Sequence, residues 1–232
     1  MITYVVVFGG LAVAAAIYSR LQARKRGEEL AAFAATRGWT WIAEDASLVD
    51  RFPGEPFGMG SARSALNVIT GDYRGRPFVA FDYSYLIETS NTTGSGRDLH
   101  EFSVVAIETG TRFPWLQVAP EGPLDRTLGR ATGSDIELES EDFNRAFTVT
   151  SASRRFASDT LHPRMMEHLM RWPDFSWRLQ DTAILTWADG THTPSDLRNG
   201  LQGLDLILDR IPDFVWKAAR EGGGPAIPPE PA

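Results

Sequence analysis

The chain of 232 residues contains no cysteine. Without thiols there is no disulfide framework, no thiolate metal site and no cysteine nucleophile. Phosphate-cradling motifs are missing as well: neither GxxxxGK[ST] nor GxGxxG occurs. A stretch with a glycine-rich look, Phe52-Pro53-Gly54-Glu55-Pro56-Phe57-Gly58, holds two prolines that lack N–H donors and reads as a loop. Histidines are few, at positions 100, 162, 168 and 192. His162 and His168 are six apart and fall on different faces of a helix, whereas zinc helices such as HExxH place them at i and i+4. No GxSxG elbow exists; Gly58-Met59-Gly60-Ser61 and Gly94-Ser95-Gly96 do not match it. The spaced Asp/Asn and bend glycine of a calcium loop are also lacking.

Charge is absent from Ile2 to Tyr18, and Arg20, Arg24, Lys25 and Arg26 follow at once. An apolar run closed by a basic cluster reads as a transmembrane anchor, with the basic side in the cytoplasm. Seventeen helical residues span about 25 Å, the short end of what crosses a bilayer. Tyr4 and Tyr18 sit near the ends, where amphipathic rings favour the interface. Tyr4, Tyr18, Arg20, Arg24, Lys25 and Arg26 are therefore the candidate membrane-flanking residues. A cleaved secretory signal competes, since Ala12-Val13-Ala14 and Ala14-Ala15-Ala16 fit a small-residue cleavage pattern. A signal peptide carries its basic residues before the apolar core, and here they come after it. Location at the cell membrane, single-pass, with the body in the cytoplasm follows from the charge bias.

The formal net charge is −7, and every acidic residue lies after the basic cluster. So acidic a body argues against binding nucleic acid through its phosphates. The expected partners are the lipid bilayer, through residues 2–18, and a protein, with no nucleic acid.

Patterning then orders the body. Residues 21–36 continue as a helix with a narrow stripe of Leu30, Phe33 and Ala34, stopped at Arg37-Gly38. Trp39 to Ile42 alternates like a strand. Leu66–Tyr73 and Pro77–Ile87 form a hairpin around Arg74-Gly75-Arg76, with Val79, Phe81, Tyr83, Tyr85 and Ile87 on one face. A tyrosine-lined strand suits either a ligand platform or a half-buried sheet face. Phe102–Glu108, apolar on both faces, predicts a central strand, and Trp115–Val118 a further one. Asp135–Glu139 reads as a short strand. Ser140 caps a helical turn, and helices follow over Ser153–Leu161 and Pro163–Arg171. Trp177–Leu179 and Ala183–Trp187 read as a second hairpin. Thr193-Pro194-Ser195-Asp196 starts a helix whose Leu197, Leu201, Leu204, Leu208 and Ile211 form one buried stripe, ended by Pro212.

The fold class expected is α+β: an N-terminal transmembrane helix followed by a soluble domain of antiparallel strands packed with several helices. The organisation expected is an anchor over 1–19, a basic juxtamembrane helix over 20–38, an α+β domain over 39–221 with a subdomain boundary near 120–135, and a disordered tail over 222–232.

Chemistry-bearing clusters are sparse. Asp98, His100 and Glu101 flank a strand beside the polar tip Asn91–Gly96. Glu137, Glu139, Glu141 and Asp142 gather carboxylates; a solvated strand face and a helix N-terminus account for them, and metal or acid–base work is the competing use. Arg154, Arg155, Arg164 and Arg171 form a basic area that suits pairing with those carboxylates.

The segment Glu139-Ser140-Glu141-Asp142-Phe143-Asn144-Arg145-Ala146-Phe147-Thr148-Val149, with Arg155-Phe156-Ala157, Pro163-Arg164-Met165-Met166-Glu167 and the Gly71–Phe78 hairpin, resembles small membrane-anchored proteins of unknown function from high-GC Gram-positive bacteria. It is also loosely similar to bacterial domain of unknown function number 3137. The resemblance covers about Trp39 to Phe214 and implies a membrane-tethered α+β domain. It carries over no catalytic residue. By elimination the sequence points to a membrane-tethered interaction or scaffold module, more an adaptor than an enzyme. No catalytic, metal or cofactor-binding residue and no cofactor is assigned. The alternative is a membrane-anchored hydrolase or small-ligand-binding domain with its site near Gly94 and His100.

Overall fold

The computed structural model describes residues 21–91, 94–121 and 136–222. They open in a helix over 21–35 (α1). Strand β1 (Thr40–Glu44), a 3-10 turn (Ala46–Leu48), β2 (Ser61–Tyr73), β3 (Arg76–Asn91) and β4 (Gly94–Pro120) follow. Then come α2 (Glu141–Ala146), β5 (Phe147–Ser151), α3 (Arg154–Thr160), α4 (Pro163–Leu169), β6 (Trp177–Asp189), α5 (Pro194–Leu208) and α6 (Asp213–Gly222). The sheet is antiparallel throughout, ordered β1-β2-β3-β4-β5, with β6 on the opposite edge of β4.

Strand β4 is the axis of the molecule. It is 27 residues long, and the two strands expected within it are one. On one edge it pairs with β3 from Asn91↔Gly94 to Phe78↔Ile107, then with β5 from Leu116↔Ser151 to Pro120↔Phe147. On its other edge it pairs with β6 from Phe102↔Asp189 to Val118↔Trp177. Register shifts around Phe113, facing Asp181, interrupt this ribbon. Gly110 (φ 68°) and Asp181 (φ 45°) take the left-handed backbone there. Such irregularities raise local twist, which frees one edge of β4 to pass from β3 to β5. The second hairpin expected around Asp181 is therefore a single bulged strand.

Each face of the sheet has its own core. Ala80, Val105, Ile107, Leu116 and Leu179 meet Leu30 and Ala34 of α1, Ala157 of α3, Met165 and Leu169 of α4, the α5 stripe and Val215 of α6. Leu197, Leu201, Leu204, Leu208 and Ile211 are all buried, as their spacing required. On the outer face Val79, Phe81, Tyr83, Tyr85, Val104, Ala106 and Leu185 meet Leu48, Phe52 and Phe57. The segment between β1 and β2 is thus a strap whose three apolar side chains build a second core. Burial of a Phe side chain contributes about 2–3 kcal/mol, so the strap is part of the fold.

The α5 start carries the full capping box: Asp196 N–H donates to Thr193 Oγ1 at 3.2 Å, and Thr193 N–H donates to the Asp196 carboxylate at 2.9 Å. The β2–β3 turn, with φ of 56° at Arg74 and 83° at Gly75, fits a primed turn. It is tied to α5 through buried Asp205, which accepts from Arg74 at 3.0 Å and from Arg76. Residues 136–140 are irregular rather than a strand, held by Ile136 N–H donating to Val149 O at 2.9 Å.

The fold class expected with a transmembrane helix at its head is corrected. The structure is an α+β domain on an antiparallel sheet, and no helix among the described residues is long and apolar enough to cross a membrane. The physical reason is visible in α1: its first turns are charged, and its apolar side chains Leu30 and Ala34 are fully buried against the sheet. The helix expected beside the membrane over 20–38 contributes Leu30 and Ala34 to the core. The anchor expected over 1–19 lies outside the described residues, as do most of the boundary region near 120–135 and the tail from 223.

Candidate functional site

Of the membrane-flanking candidates, Tyr4, Tyr18 and Arg20 lie outside the described residues. Arg24 and Lys25 are exposed on α1 and pair one turn on with Glu28 at 3.0 Å and Glu29 at 3.9 Å. Arg26 turns inward, its Nε 3.9 Å from the Asp82 carboxylate. His100 stacks on Tyr85 with ring centroids 5.0 Å apart. Tyr83 and Tyr85 are buried beneath the strap, so the tyrosine face is core. Of the carboxylate cluster, Glu141 and Asp142 lie in the first turn of α2 and pair with Arg145 at 3.7 and 2.9 Å. Arg154 donates to the Glu137 carbonyl at 3.2 Å, and Arg155 pairs with Asp159 at 3.6 Å within α3. Among the described residues no group of three or more His, Asp or Glu is placed to hold a metal ion.

The structure gathers polar groups at two other places. The first is a knot at the start of α5. Asp82, mid-strand in β3, accepts from the backbone N–H of His192 at 2.8 Å and bonds His192 Nδ1 at 3.0 Å. Its other oxygen accepts from Asn67 at 2.8 Å. Burial opposes ionisation, but the His192 and Asn67 hydrogen bonds hold the Asp82 carboxyl below its ordinary value. Ser103 lies in cross-strand register with Asp82 and borders, with His192, Asp189 and Asn199, a cavity of about 250 Å³. Acid, imidazole and hydroxyl thus come close together. The Ser103 hydroxyl donates to the Ala188 carbonyl at 3.3 Å rather than to His192, so the nucleophile–base hydrogen bond of acyl-transfer sites is not made. What the knot does is fasten α5 to the centre of the sheet.

The second place is the strap. Arg178 of β6 is fully buried, with no carboxylate partner among the described residues. Its guanidinium carbon lies 4.4 Å from the Trp115 ring centroid, 5.1 Å from Trp187 and 5.7 Å from Phe57. Ring faces carry the negative lobe of the aromatic quadrupole and stand in for an anion. Nη1 donates to the Glu55 carbonyl at 2.9 Å and to Gln117 Oε1 at 3.2 Å, while Nε and Nη2 have no partner among the described residues. Burial pushes the group down to about 9. Gly54 lies flat on this cage: a Cβ there would fall 2.6 Å from Trp115 Cη2. Arg178 therefore pins the strap by its backbone. Beside it a polar cavity of about 410 Å³ opens between the strap and the β4–β6 bulge.

Sequence reasoning missed Asp82, His192 and Arg178. The available signal was a charge inside an apolar strand, Asp82 in Phe81-Asp82-Tyr83 and Arg178 in Trp177-Arg178-Leu179. Such a charge is rarely buried without a partner.

No protein-family model matches the chain, and no curated protein does. Among solved structures, the crystal structure of the mycobacterial trehalose monomycolate transport factor A, TtfA, is similar to it with a TM-score of 0.56 at 15% identity. The match covers 89% of this chain and 99% of that one. At that identity the likeness is one of fold.

Proposed function

We propose that the protein is an accessory factor in moving an envelope lipid, working at the membrane surface by binding a partner protein. The observation that supports this reading is the likeness to TtfA, a protein named for trehalose monomycolate transport, over 99% of that chain's length. An accessory factor needs a rigid frame and an accessible edge. Strand β1 lies at the end of the strand order and is largely exposed, and Ile42 on β1 and Leu66 on β2 are 42% and 40% exposed. An open edge with aliphatic side chains suits addition of a partner's strand. The resemblance of the 139–149 and 163–167 segments points to the same high-GC Gram-positive setting.

The test is lipid tracing in the cells that make the protein. With the gene deleted, a pulse-labelled envelope lipid is expected to build up in the cytoplasmic membrane and fall at the outer surface. An unchanged distribution overturns the reading.

A hydrolase is the second reading, and one observation favours it: His192 and Ser103 border a common cavity, and His192 is hydrogen-bonded to Asp82. Turnover of a generic ester by purified protein, lost in Ser103→Ala, is the result that replaces the first reading with this one.

A further inference from the structure

We infer that the cavity between the strap and the β4–β6 bulge binds the hydroxyls of a neutral sugar. Its volume, about 410 Å³, falls in the roughly 300–1,000 Å³ range of small-ligand sites. Phe52 and Pro53 supply an apolar wall, and Arg51, Arg112, Gln180 and Asp181 supply the polar one.

The charge balance selects the ligand class. Arg51 is held by Glu108, and Arg112 Nε lies 3.4 Å from Asp181. The two cations are thus already matched by two carboxylates. An anion entering there has to break those pairs, whereas a polyol does not. A guanidinium offers five donors in a plane and a carboxylate about four acceptor sites. Each pair therefore keeps spare donors and acceptors side by side, the pattern that vicinal hydroxyls complement. A buried amide adds to this. Gln180 is 3% exposed and borders the cavity, and its Oε1 has no hydrogen-bond partner among the described residues. A buried acceptor without a partner is costly, so a donor brought by a ligand is favoured there.

The site is also preformed. Phe52 and Phe57 bury the strap in the outer core, and Arg178 fastens it at Glu55 O. Asp181, at φ 45°, sits in a backbone region unusual for a non-glycine residue. Strain of that kind persists where surrounding structure holds it. The sugar is either free or the headgroup of a glycolipid; both present the same hydroxyls.

The experiment is NMR titration of the full chain, following the Gln180 side-chain amide and Arg112 Nε. The probes are glucose, galactose, maltose, trehalose and inositol, then octyl glucoside and dodecyl maltoside below micelle formation, then inorganic phosphate. At least one neutral sugar is expected to shift both signals saturably, with a Kd on the order of 1 mM. Tighter binding of the alkyl glycosides assigns a lipid headgroup, and equal binding assigns the free sugar. Exposed Arg112→Ala is expected to weaken binding about tenfold, and Gln180→Leu likewise. Both variants keep the strap anchored through Arg178. Titration by phosphate alone, no response to any sugar, or wild-type affinity in both variants overturns the inference. The site does not depend on the partner reading, so its failure and that of lipid transport are read separately.

Discussion

Asp82 is the residue on which the sheet's centre and the start of α5 both depend. It sits among apolar neighbours, yet receives hydrogen bonds from His192 and Asn67. Because its carboxyl is held below the ordinary value, its contribution is fully present above the unfolded carboxylate range near about 3.9. It is lost as pH falls through the folded value. Asp82→Asn is expected to cost about 1–3 kcal/mol at neutral pH. The gap to wild type should close as pH drops below about 4, as read by urea midpoints across that range. A gap that stays constant with pH contradicts the assignment. Arg178 poses the converse case, a buried cation among rings. Arg178→Lys is expected to cost about 2–4 kcal/mol, because a compact ammonium neither stacks between rings nor reaches both acceptors. Arg178→Met removes the buried charge while keeping apolar bulk, and should cost less than Lys. A loss below about 0.5 kcal/mol in both variants, read by urea melts, contradicts the pinning role. The pattern flags each as a charge inside an apolar strand but does not say what that charge will meet across the fold.

At the scale of elements, the sequence spoke clearly where one local signal sufficed. The Thr193 capping box, the Arg74-Gly75 turn and the α5 stripe all formed as their residues dictate. Where the outcome depended on distant pairing, local signals failed. The breaks expected between Glu108 and Trp115 and between Leu179 and Ala183 hold Gly110 and Asp181, and both lie at the irregular middle of the β4–β6 ribbon. The loop 52–58 carried turn residues and became the lid of a core, because Phe52 and Phe57 find Phe81 and Tyr83 beneath them. Helix α5 supplies a prediction of its own. Glycine inside a helix ordinarily gains about 1 kcal/mol on replacement by alanine. At Gly203 a Cβ would lie 2.6 Å from Phe175 Cζ and 3.0 Å from Trp172 Cζ3. Gly203→Ala is therefore expected to destabilise by about 1–2 kcal/mol, read by thermal melting. A raised melting temperature shows that α5 does not pack so closely on the loop after α4.

For the molecule as a whole, an antiparallel sheet with helices on one face and a pinned strap on the other makes a stiff body. Little of its function was legible in the sequence. The regions singled out there, His100 and the carboxylates at 137–142, form no catalytic grouping, and the gathered groups come from segments about a hundred residues apart, as with His192 and Asp82. On the proposed function this body acts by binding rather than turnover. The most direct test complements cells lacking the gene with Ser103→Ala, a change that removes the hydroxyl that borders the cavity with His192 and lies in cross-strand register with Asp82. Surface levels of the labelled lipid are predicted to return to those given by the wild-type chain. Folded Ser103→Ala protein that leaves the lipid trapped at the inner membrane contradicts the account.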